Sequence, residues 1–126
     1  MQNDEHIQKI LIEIAKTDKS EEVRQMAIKH LDDIDALIEI AQTDPDSEIR
    51  LEAISRIGDN AEWCQKCQDI LIQIAKTDKE YYIRSRVAEY IEDRKILIDI
   101  AQNDESDFVR KEIIRQLFRP NINKLI

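Results

Sequence analysis

One short pattern occurs four times in this chain, and an internal repeat of that size restricts the fold more than any other feature. Ile10–Asp33 reads ILIEIAKTDKSEEVRQMAIKHLDD, and Ala36–Asp59 reads ALIEIAQTDPDSEIRLEAISRIGD. Ile70–Asp93 reads ILIQIAKTDKEYYIRSRVAEYIED, and Ile96–Arg119 reads ILIDIAQNDESDFVRKEIIRQLFR. The starts lie 26, 34 and 26 residues apart, so the chain also repeats at 60 residues. Repeats one and three share Lys16/Lys76 and Thr17/Thr77 followed by Asp-Lys, whereas repeats two and four carry Gln42/Gln102. A pair of repeats is therefore the duplicated unit. The eight residues Asn60–Cys67 ahead of repeat three match the stretch up to Ile7 ahead of repeat one, and they read as a longer first helix.

Each repeat reads as two helices. In the first, Ile7, Ile10, Leu11, Ile12, Ile14 and Ala15 cover an arc of about 200° on the helical wheel. One partner helix cannot cover so wide an arc, so each first helix must also meet neighbouring repeats. The second helix is expected to bury Val23, Ala27, Ile28 and Leu31, with Ile49, Ala53, Ile54 and Ile57 as their equivalents in repeat two. Asp18, Asp44, Asp78 and Asp104 fall in the turn between the helices. Pro45 after Asp44 suggests Asp as the N-cap with Pro at the first helical position. Gly58 suits a helix end, and Pro120 should end the last helix. With one Gly and two Pro in 126 residues, there is little turn chemistry for hairpins.

Arg24, Arg50, Arg84 and Arg110 fall inside the apolar arc of the second helices. A guanidinium there must be paired or it costs about several kcal/mol. The four turn Asp residues are the obvious partners, giving a structural ladder of Asp18, Arg24, Asp44, Arg50, Asp78, Arg84, Asp104 and Arg110. Because an Asp and an Arg six residues apart lie about 240° apart on a helix, the pairing is expected to cross between repeats. An anion site built from the arginines is the functional alternative, and the ladder is preferred.

The pattern L-x-x-I-A-x-x-D, then V-R-x-x-A, then a closing Leu resembles a HEAT repeat, of the short bacterial kind related to phycobilin-lyase HEAT-like repeats. The resemblance covers residues 7 to 119, and all four repeats keep the Asp and the Val/Ile-Arg pair. It implies a right-handed α-solenoid of four two-helix repeats, about eight helices, in a single domain over 1–126, with repeats at roughly 7–33, 36–59, 61–93 and 96–119. It also implies that second helices line a partner-binding face and that scaffolding is the common role. A minority of HEAT-like proteins are bilin lyases or DNA glycosylases. The basic or chromophore-handling features of those enzymes are missing here.

The net charge of −8 argues against nucleic acid and against an anionic membrane surface, because both need a basic stripe. No stretch approaches the roughly 18 apolar residues of a membrane span. Residues Met1–His6 are too polar for a signal peptide, and two cysteines make no disulfide framework, which points to the cytoplasm. Cys64-Gln65-Lys66-Cys67 is a single CxxC. Zinc needs about four ligands, and a thioredoxin-type redox site needs a preceding strand. Trp63, Cys67, Ile70 and Ile74 instead continue one helical stripe, so the cysteines read as packing, with no metal and no cofactor. His30 aligns with Arg56, Tyr90 and Gln116, which suggests a solvated helix edge. Asp32, Asp33 and Asp35 cluster at a helix boundary and read as caps and solvated charge. No nucleophile–base pair or phosphate loop is present, so no catalytic residue is expected.

The aromatics are distributed unevenly. Tyr81, Tyr82, Tyr90 and Phe108 all fall in the second helices of repeats three and four, where repeats one and two have polar residues such as Glu21, Glu22, Ser47 and Glu48. An apolar side chain where sister repeats are polar is not demanded by the fold and suggests a contact surface. Tyr82, Arg86, Tyr90, Phe108, Lys111 and Arg115 are the candidate partner-binding residues. The expectation is a non-catalytic scaffold for a protein or peptide, monomeric or weakly self-associating. The alternatives are a HEAT-like enzyme of lyase or DNA-repair type, or a purely structural assembly module.

Overall fold

The computed structural model describes residues 4–119. Among the described residues eight α-helices follow one another: α1 (Glu5–Thr17), α2 (Glu21–Lys29), α3 (Ile34–Thr43), α4 (Ser47–Asp59), α5 (Gln65–Thr77), α6 (Tyr81–Val87), α7 (Arg94–Asn103) and α8 (Asp107–Leu117). Short 3-10 turns lie at Ala61–Trp63 and Ala88–Tyr90. There is no strand among the described residues. The 60-residue duplication is visible in the helix bounds: α5 starts and ends 60 residues after α1, and α7 does so after α3.

The chain divides into two compact units, and the division falls inside α5 between Leu71 and Ile72. In the first unit α1 packs on α2 and α3 on α4, while α2 lies against α4 and α1 against α3. In the second, α7 packs on α8 and α6 on α8. Successive second helices are thus neighbours within each unit. The core of the first unit is made by Ile28, Leu31, Leu37, Ile49, Ile54 and Ile57, all almost fully buried. Ile83, Val87, Leu97, Ile100, Val109 and Ile113 do the same in the second. Burying each such side chain contributes about 1.5–3 kcal/mol, which makes apolar contact the main force holding each unit together.

The helix starts differ from the sequence expectation. The turn Asp residues do not cap the second helices. The N-caps are Ser20 for α2, Asp46 for α4, Glu80 for α6 and Ser106 for α8, two residues later. Asp18, Asp44, Asp78 and Asp104 instead close the first helices, their amides donating to Ile14, Ile40, Ile74 and Ile100. Each Asp Oδ1 then accepts the amide two residues on, at 2.9 Å in all four turns. This Asx turn satisfies a backbone donor while the chain reverses, so the helix begins only beyond it. Pro45 sits within that turn, ahead of the N-cap.

Other details are corrected by packing. Val23 is 42% exposed although its equivalents Ile49, Ile83 and Val109 are buried; among the described residues α2 has only α1 and the following second helix, α4, beside it, whereas α8, which carries Val109, packs on the preceding second helix, α6. Gly58 lies inside α4, and no described residue has a positive φ, so the helix ends without a left-handed cap. Asn60–Cys67 is not all helix: a 3-10 turn intervenes, Cys64 is extended, and α5 begins at Gln65. That break takes Trp63 off the apolar stripe and leaves it 86% exposed. Tyr90 belongs to the 3-10 turn that follows α6. The expected stop at Pro120 lies outside the described residues.

Candidate functional site

The repeated Asp and Arg residues meet in the same way in both units. Arg24 donates from Nε to Asp44 Oδ2 at 3.1 Å and from Nη1 to the Asp18 carbonyl at 2.8 Å. Arg84 donates from Nε and Nη2 to the two oxygens of Asp104 at 2.9 and 3.0 Å, and from Nη1 to the Asp78 carbonyl at 2.8 Å. Arg50 and Arg110 likewise reach the carbonyls of Asp44 and Asp104 at 3.0 and 2.5 Å. Every one of the four guanidiniums therefore closes its own turn through a carbonyl six residues back. Arg24 and Arg84 also clamp the carboxylate of the following repeat. The planar fork matches that carboxylate with two parallel bonds, which lysine cannot do. Arg50, Arg84 and Asp44 are buried, and among the described residues no buried side-chain nitrogen or oxygen lacks a partner.

The electrostatics follow from this geometry. Burial pushes the Asp104 carboxyl up, but the Arg84 hydrogen bonds, the Ser106 amide and the charges of Arg84 and Arg110 together hold it below the usual carboxylate range. The Asp104 hydrogen bond pushes Arg84 up in turn. At the surface, Lys76 and then Asn103 hold Asp99 low.

A second set of polar contacts stitches repeats together at helix ends. Arg56 donates from Nη1 to the carbonyls of Ile28 and Lys29 at 2.6 and 2.9 Å. Sixty residues on, Gln116 donates to the Ala88 carbonyl at 2.7 Å. The Ile28 and Lys29 carbonyls lie at the C-terminal end of α2 and that of Ala88 in the 3-10 turn after α6; the Leu31 and Ile91 amides donate to Ile28 and Ala88 at 3.2 and 3.0 Å, so the long side chain adds a second donor there. The position shared by His30, Arg56, Tyr90 and Gln116 is therefore not merely a solvated edge. A long donor there reaches back one repeat, a role invisible in a column of dissimilar side chains. Gln8 acts similarly, donating to the His30 carbonyl and accepting the Asp32 amide.

The aromatic residues gather in the second unit. Tyr81 lies edge-on to Tyr82 with ring centroids 5.9 Å apart, and edge-on to Phe108 at 5.4 Å. Edge-to-face contacts of this kind stabilise by about 0.5–1.5 kcal/mol beyond area burial. Tyr81 and Phe108 are 49% and 42% exposed, so the cluster sits at the surface across α6 and α8. Tyr81 is its centre and was not among the candidate site residues. Its signal was present in the sequence, as a ring where the sister repeat has Glu21. Tyr82 and Tyr90 are half-buried, whereas Arg86 and Lys111 are exposed. Arg115 is exposed and pairs with Glu112 one turn back, so it is locally compensated.

Cys64 and Cys67 are joined by a disulfide, so the pair is more than a packing contact. Cys67 is fully buried and Cys64 half-exposed. Among the described residues, no group of three or more His, Cys, Asp or Glu is placed to hold a metal. No helix there is long and apolar enough to cross a membrane.

The family model for HEAT repeats matches residues 34–118, about two-thirds of the chain. Neither the curated proteins nor the solved structures compared with the chain match it. Repeated helical pairs, a turn Asp and a second-helix Arg in each, and a match over most of the length lead to one statement: the chain belongs to the HEAT repeat family.

Proposed function

We propose that this chain is a non-catalytic scaffold that binds a protein or peptide through the second helices of its second unit. The observation carrying the proposal is the surface cluster Tyr82–Tyr81–Phe108, at positions where repeats one and two are polar. Rings at the surface joined edge to face, with Tyr81 and Phe108 exposed, offer large contact area with few rotatable bonds, which suits an interface anchor. Arg86 and Lys111 add exposed cations on α6 and α8. Tyr90 and Arg115 complete the patch. In a chain of net charge −8, this combination favours an acidic or amphipathic peptide. HEAT repeats commonly mediate protein interactions, which supports the same reading. A cytoplasmic setting belongs to the proposal.

Panning a random peptide library on the wild-type chain, with Tyr82→Ala/Arg115→Ala as the counter-bait, tests it. Enrichment of acidic or amphipathic peptides that bind the wild type about tenfold more tightly supports the patch. Ligands that bind both baits equally place the site elsewhere.

A further inference from the structure

We propose that Cys64 and Cys67 form a thiol–disulfide exchange site for low-molecular-weight thiols and their disulfides, with Cys64 as the reacting sulfur. The two Cα atoms are 5.2 Å apart and the sulfurs are bonded. The two cysteines are unequal in access. Cys67 is fully buried, while Cys64 is half-exposed and follows Trp63, which is 86% exposed.

Cys64 occupies the N-cap of α5. Its backbone is extended, its carbonyl accepts the Gln68 amide at 3.1 Å, and its Sγ accepts the Cys67 amide at 3.1 Å. The 60-residue duplication shows what the fold alone requires there. The equivalent of Cys64 is Asp4, whose carboxylate caps α1 by accepting the His6 amide at 2.6 Å. Asp is among the best N-caps, and sulfur is a weak acceptor. The equivalent of Cys67 is Ile7, an ordinary apolar residue. One copy thus has a good cap and an aliphatic, and the other has two cysteines, so the capping function does not explain them. An amide aimed at a sulfur on the positive end of a 13-residue helix favours the thiolate, the nucleophilic form. No preceding strand is needed for this, because the helix end itself supplies the field.

The chemistry balances with a small disulfide as oxidant. The Cys64 thiolate attacks one sulfur of RS–SR, forming a Cys64 mixed disulfide and releasing one thiolate. Cys67 loses its proton and attacks Cys64 Sγ, closing the intramolecular bond and expelling the second thiolate. The two protons from the cysteines leave with two RSH, and two electrons pass to the small disulfide. Reduction runs in reverse, with an incoming thiolate attacking the accessible Cys64 sulfur.

The full chain, equilibrated from both directions in glutathione and glutathione disulfide mixtures, is quenched, alkylated and weighed intact. Species carrying no alkyl group or two are expected, interconverting reversibly with unchanged helical circular dichroism. Trp63, the only tryptophan, should report the same transition by fluorescence. Cys67→Ser should trap one glutathione on Cys64, while Cys64→Ser should react roughly tenfold more slowly. In the wild type, peptide mapping after brief iodoacetamide exposure should find Cys64 labelled before Cys67, a readout that needs no variant to fold. A bond that glutathione reduces only when the helices unfold would overturn the proposal, as would a wild type that stops at the mixed disulfide or labels Cys67 first.

Discussion

Replacing Arg84 by Met removes a guanidinium that makes three hydrogen bonds: two to Asp104 and one to the Asp78 carbonyl. The methionine keeps the aliphatic volume, so the loss is electrostatic rather than a cavity. Asp104 is left with a buried carboxylate whose strongest partner is gone. Breaking a buried pair on one side costs about 3–5 kcal/mol. Asp104 retains the Ser106 amide at 2.9 Å and the charge of Arg110, so the expected loss is about 2–4 kcal/mol. Against a total stability of about 5–15 kcal/mol that is a large fraction, and it should lower the thermal midpoint by about 10 °C. Urea melts followed by helical circular dichroism measure it. The decisive comparison is Arg84→Met/Asp104→Asn, which discharges the stranded carboxylate yet keeps an oxygen for the Ser106 amide. It should recover about half of the loss. A loss below about 0.5 kcal/mol for Arg84→Met, or no recovery in the double variant, would refute the reasoning and assign the arginine a packing role only.

Asp104 is held below the usual carboxylate range, so its unfolded form binds a proton at higher pH than its folded form. Its contribution is present above the unfolded value near about 3.9 and is lost as pH falls through the folded value; the penalty of Arg84→Met should accordingly shrink between neutral pH and about pH 3 in the same melts. Arg56→Ala strips donors from the Ile28 and Lys29 carbonyls and should cost about 1–2 kcal/mol, readable as faster amide exchange at the end of α2. Tyr81→Ala, at the centre of the three rings, should weaken binding of a selected peptide about tenfold while shifting the thermal midpoint by no more than a few degrees; an equal affinity would remove the rings from the interface.

By itself, the sequence determined the helices, their pairing into repeats and the 60-residue duplication. Those features depend on local periodicity and on residues recurring at fixed spacing, and both are written along the chain. It also pointed to Arg24, Arg50, Arg84 and Arg110 as charges in an apolar arc that need partners. Only the tertiary structure decided which oxygen each one finds. Arg84 meets Asp104, 20 residues away, because neighbouring repeats bring the next turn alongside the helix. Periodicity tells which face of a helix is apolar but not whether anything covers it. Ile49 is therefore buried and Val23 open, and Cys67 is buried while Trp63, expected on the same stripe, faces water. The N-caps moved two residues because a carboxylate in an Asx turn competes for the amides that would otherwise start the helix. The reach of Arg56 and Gln116 to carbonyls of the preceding repeat, like the joining of Cys64 to Cys67, depends on where backbones converge in space. Alignment of the repeats could show that a position varies, but not that a long donor there finishes another helix.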